Sequence, residues 1–141
     1  MAEKSTYIPG IMKPGNVISA FGNIFAGISA LDAANENASL LEQQGLLVRD
    51  DYNKQAALTR EEGSRIRAKQ TMEYISSGVE VVGTPQLVLK ETLSKTMAKA
   101  GALEVTGAGY SRLYSKKAQI TRKEGQAALV SGVMSAAASL I

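Results

Sequence analysis

Apolar positions along this chain do not keep one period, and the changes of period mark its elements. The first fifteen residues, MAEKSTYIPGIMKPG, hold two prolines and two glycines and predict an extended arm over 1–15. From Asn16 the spacing turns helical. Ala26, Ala30, Ala34 and Ala38 recur every four residues, with Val17, Phe21, Ile24, Ile28 and Leu31 beside them. This predicts a helix over about 16–44, closed at Gly45 by a left-handed C-cap.

A second helix, about 46–77, follows a different pattern. Steps of four and three residues pass through Tyr52, Ala56, Thr59, Gly63, Ile66 and Gln70, a candidate helix-contact seam whose members are small or polar. Gly63 costs about 1 kcal/mol relative to alanine in a helix interior, so it marks a close crossing. Acids and bases mix over the rest of this segment, as on a solvated face. The next helix is predicted over about 85–100, with Thr84 as N-cap and Pro85 at the first helical position. Its apolar stripe is Leu89, Leu93, Met97 and Ala100. Gly101, Gly107 and Gly109 predict a bend, and helix resumes over about 108–140. There Leu113, Ile120, Ala127, Met134 and Ile141 recur every seven residues.

Between the second and third helices, residues 74–92 read YISSGVEVVGTPQLVLKET. The run Val79-Glu80-Val81-Val82 is β-like but too short for a sheet, and glycine flanks it on both sides. Gly and Pro are strong punctuators, so the segment near 77–85 is expected to be a connector. Val79, Val81 and Val82 are candidates for docking on a partner. The fold class is all-α, with two to four long helices in an extended hairpin or bundle. Residues 16–141 are expected to form a single helical domain.

Composition sharpens the kind of packing. Two Phe, five Tyr and no Trp leave few bulky core residues, while alanine and thirteen glycines favour close backbone contact. Without Cys or His, no Ser-His-Asp or Cys-His unit can form, and the commonest metal ligands are missing. Gly78-x4-Gly83 has P-loop spacing, but Thr84-Pro85 stands where Lys-Ser/Thr is required. Asp50-Asp51 and Glu61-Glu62 are sequence neighbours that do not share a helix face. The reading is therefore not an enzyme, with no cofactor and no metal.

Net charge is +3, distributed unevenly. Residues 1–45 carry two basic and four acidic groups, and residues 79–141 carry eight and four. Lys95, Lys99, Arg112, Lys116, Lys117, Arg122 and Lys123 are candidate DNA-facing residues. Two stretches carry no charge, one over 14–31 and the other over 125–141. Both lie at the lower limit of length for a bilayer span. This mixture suits a protein that is soluble in one state and inserts in another.

Three segments occur in a telling order: YNKQAALTREEGSRIRAKQ, then SSGVEVVGTPQLVLKET, then ALEVTGAGYSRLYSKKAQITRKEGQAALVSGVMSAAASLI. In this order the sequence resembles the small internal virion proteins of tailed, mainly short-tailed, bacteriophages, also called DNA-ejection or DNA-transfer proteins. The likeness covers roughly residues 16–141. It implies a location inside the virion near the portal or tail, a ring-like homo-oligomer, and help in forming a conduit for genome delivery across the host envelope. Implied partners are portal or tail proteins and larger ejection proteins, with phage DNA and the host outer membrane as further candidates. It transfers no site residues. Two other readings stand beside it: a fixed portal-tail adaptor or channel-lining protein without membrane activity, and a DNA-binding packaging protein.

Overall fold

The computed structural model describes residues 14–139. Two helices account for almost all of them: α1, Pro14–Ser76, and α2, Thr84–Ser139. No strand occurs among the described residues. Of the arm expected over 1–15, residues 1–13 lie outside the described residues, and Pro14 and Gly15 already belong to α1.

Two predicted interruptions are absent. α1 runs through Gly45, and α2 runs through 101–109, so the four expected helices are two. The reason is local. Gly45 is buried, and a Cβ there would stand 2.8 Å from Tyr114 Cβ. Gly107 is likewise buried, with Tyr52 Cβ 2.5 Å from where its own would be. These glycines admit a neighbour's side chain instead of ending a helix, and a glycine inside a helix weakens it by only about 1 kcal/mol.

Between the helices, Gly78 and Gly83 have φ of 74° and 73°. The Gly78 amide donates to the Ile75 carbonyl and the Val79 amide to the Tyr74 carbonyl. Those two bonds form a Schellman close, which needs a left-handed residue at Gly78. The Ser77 hydroxyl donates to the Glu73 carbonyl at 2.8 Å, beside the Ser77 amide that the same oxygen accepts. At the far side the Leu87 amide donates to the Gly83 carbonyl, so the cap falls on Gly83, one residue before the expected Thr84. Pro85 then occupies the first turn, where a missing N–H leaves no bond unmade.

The chain divides into two compact units, Leu41–Lys116 and the combination of Met1–Leu40 with Lys117–Ile141. Each unit contains a piece of both helices, and in each the buried residues are almost all alanine or glycine. Ala20, Ala38 and Ala56 are buried on α1, and Ala100, Ala118 and Ala136 on α2, with one constant interval inside each triplet. Gly27, Gly45 and Gly63 repeat at the same interval, as do Gly107 and Gly125. That interval is five full turns at about 3.6 residues per turn, so the repeat returns to the same face of a straight helix. A strict heptad repeat would drift by about 20° in each period and force a supercoil.

Leu89 is the only buried residue larger than alanine, and no polar or charged residue is buried among those described. The larger hydrophobic side chains lie outside. Leu47 falls midway between Ala38 and Ala56, and Met72 is the same half-interval beyond Gly63. Half of the interval is two and a half turns, which places each on the face opposite the seam. Leu47 and Met72 are both 66% exposed. Apolar residues therefore occupy two opposite faces of the helix, small ones inward and large ones outward.

Candidate contact surfaces

Within the Leu41–Lys116 unit the seam is built by exchange of size. Each buried glycine lies opposite a larger side chain of the other helix: Gly45 opposite Tyr114, Gly63 opposite Thr96, Gly107 opposite Tyr52. A Cβ at Gly63 would overlap the Thr96 side chain. Because the glycines come from both helices, neither is simply the groove and neither simply the ridge. The Tyr52 ring also stacks on Tyr110, with centroids 5.8 Å apart and planes 18° from parallel.

Polar contacts flank this seam. Arg60 Nη1 donates to Glu104 Oε1 at 2.7 Å, joining α1 to α2. That hydrogen bond holds the Glu104 carboxyl below the ordinary carboxylate range and raises the Arg60 guanidinium above its usual value. The Thr92 hydroxyl donates to Gln70 Oε1 at 3.2 Å, a second link between the helices. Other ion pairs run along single helices: Lys54 with Asp50, Arg65 with Glu61, and Lys95 with Glu91. Their exposure leaves them little weight in stability.

In the other unit the contacts are closer to the backbone. A Cβ at Gly27 would stand 3.1 Å from Leu129 Cα, and one at Gly132 would stand 2.6 Å from the Asn23 carbonyl oxygen. One at Gly125 would collide with Ala34 Cβ. Such approach lets the helices meet largely through backbone atoms and methyl groups, with Leu31 also reaching Gly125.

The residues expected to form a seam have different surroundings. Ala56 and Gly63 are buried, and Tyr52 is half-buried against Gly107. Thr59 is half-buried, with its hydroxyl donating to the Gln55 carbonyl at 2.9 Å, and Ile66 is 44% exposed. On α2, Leu89 and Ala100 of the expected stripe are buried, whereas Leu93 and Met97 are exposed. Thr96, Gly107 and Tyr114 complete the partner side, and helical spacing alone did not mark them as contacts. The signal that could have found them is the recurrence of alanine and glycine every five turns.

The basic candidates do not gather on one stripe. Lys95, Lys99, Arg112 and Lys116 belong to one unit, and Lys117, Arg122 and Lys123 to the other. Within the Leu41–Lys116 unit, Lys99 and Arg112 are thirteen residues apart, about 140° round the helix, and so lie on different faces of α2. Lys95 is already paired with Glu91 at 2.7 Å. Among the described residues no cluster of acidic side chains could hold a metal ion.

In comparisons with known proteins, the chain matches no family model, no curated protein and no solved structure.

Proposed function

We propose that this chain is a structural protein of a phage particle that takes part in genome ejection. In this reading it assembles as a ring-like homo-oligomer near the portal or tail, alongside larger ejection proteins, and helps form the conduit for DNA across the host envelope. The observation that carries the assembly part is the distribution of side-chain size. The buried residues between the helices are almost all alanine and glycine, while Leu47, Leu58 and Met72 face outward. A folded chain that leaves its large hydrophobic residues outside presents contact surface for neighbours. The order of the Ser-Gly-Val turn, the Gly-Thr-Pro helix start and the Ala/Gly/Ser-rich closing helix supports the virion part.

Catalysis has no support in the side chains, since the chain contains neither His nor Cys. The scattered basic residues give less support to a dedicated DNA-binding protein than a single positive stripe would. Mass spectrometry on purified particles tests the proposal. The protein should be present in DNA-filled particles and depleted from particles that have ejected their genome. Equal amounts in both would favour a fixed adaptor, and absence from filled particles would overturn the virion reading.

A further inference from the structure

The two uncharged stretches of the sequence are far apart in number but adjacent in the fold. Within the unit of Met1–Leu40 and Lys117–Ile141, Gly27 lies against Leu129 and Gly132 against Asn23. Gly125 lies against Leu31 and Ala34, so the last uncharged residue of one stretch stands level with the first of the other. Asp32 and Glu124 therefore mark one boundary. Beyond it, over 14–31 and 125–139, neither helix carries an acidic or basic side chain on any face.

We infer that this uncharged end is a lipid-inserting element, in which residues 14–31 and 125–139 enter the hydrocarbon of a bilayer as a helix pair. Three observations favour lipid over a second copy of the chain. A protein partner would need one uncharged face, whereas charge is missing here from the whole circumference of both helices. Large apolar side chains already point outward from it: Phe21 is 69% exposed and Phe25 73%, with Val130 and Met134 exposed on α2. The stretch near the start of α1 is long and apolar enough to cross a membrane, and only 11% of it is buried in the molecule.

The bilayer's demands are met most fully by α1, while the shorter stretch of α2, about 22 Å over 125–139, packs beside it. A helix over 14–31 makes five turns and rises about 27 Å, close to the roughly 30 Å of a hydrocarbon core. Every backbone group inside a helix has its partner without water, apart from the ends. Helices in lipid associate through small residues that let backbones approach, as Gly27, Gly125 and Gly132 do here. Just outside the boundary stands the exposed Lys123, whose long stem can carry its charge to the phosphate level.

The inference deepens the virion reading and rests on its envelope conduit, but its test uses the purified full chain and vesicles alone, so either can fail without the other. The chain has no Trp, so Phe25→Trp provides a single indole reporter. With vesicles of phosphatidylcholine and phosphatidylglycerol, its emission should shift to the blue and be quenched by brominated acyl chains. Val105→Trp, at an exposed position of the other unit, should do neither. Phe25→Asp should lower vesicle binding by about a hundredfold, the usual effect of one charge in the hydrocarbon. Its helical circular dichroism in water should stay unchanged, because Phe25 has little to lose in the fold. An F25W emission that remains water-like with vesicles would overturn the inference, as would undiminished binding by F25D. A blue shift that needs no lipid and grows with protein concentration would assign the surface to a second copy instead.

Discussion

A helical glycine opposite a side chain of the other helix and a helical glycine facing open space look alike in sequence, and their neighbours separate them. Gly63 has the Thr96 side chain where its Cβ would be, while Gly109 has nothing within 4 Å. Alanine at Gly109 should stabilise the chain by about 0.5–1 kcal/mol through backbone entropy and helix propensity. At Gly63 the same change should destabilise it by roughly 1–3 kcal/mol, the usual cost of overpacking a closed contact. Urea unfolding of the two variants measures both signs, and equal effects would contradict the size exchange along the seam. Sequence reading found Gly63 as a close crossing yet took Gly45 for a helix end. Nothing in the residues around Gly45 announces Tyr114, which comes from the other helix.

At the scale of the helices, the five-turn repeat explains both what was legible and what was not. Its steps of seven, seven and four contain the heptad-like and four-residue spacings that sequence inspection finds first. Each was visible as a local seam, but neither spacing alone predicts that one face persists through Gly45 or through 101–109. Between the helices, Gly78 and Gly83 act locally, through their own left-handed φ. Polar links add a dependence on pH. Glu104 is held below its ordinary range by the hydrogen bond from Arg60, so its contribution is present above the unfolded carboxylate pKa. That contribution fades as pH falls through the lower folded value. Thermal unfolding followed below about pH 4.5 should show wild type losing more stability than Glu104→Gln. The difference should shrink in high salt, as expected for an exposed pair.

For the whole molecule, the consequential fact is where the large hydrophobic residues lie. Sequence spacing placed apolar residues at helical intervals, but it could not say that nearly all the buried positions would be alanine or glycine while residues such as Phe25, Leu47 and Met72 stay exposed. Only the pairing of the helices decides which of two apolar faces is covered. Leu47, Leu58 and Met72 are left exposed on α1 in the Leu41–Lys116 unit. Burying a leucine of this kind against a neighbour contributes about 1.5–3 kcal/mol, enough in several copies to hold an assembly. The most direct test is sedimentation equilibrium of the purified chain, in water without lipid, alongside the Leu58→Glu variant. The account predicts multimers that grow with concentration and a shift toward monomer in the variant, with helicity unchanged. A chain that stays monomeric at every concentration, or a variant that assembles as well as wild type, would contradict it.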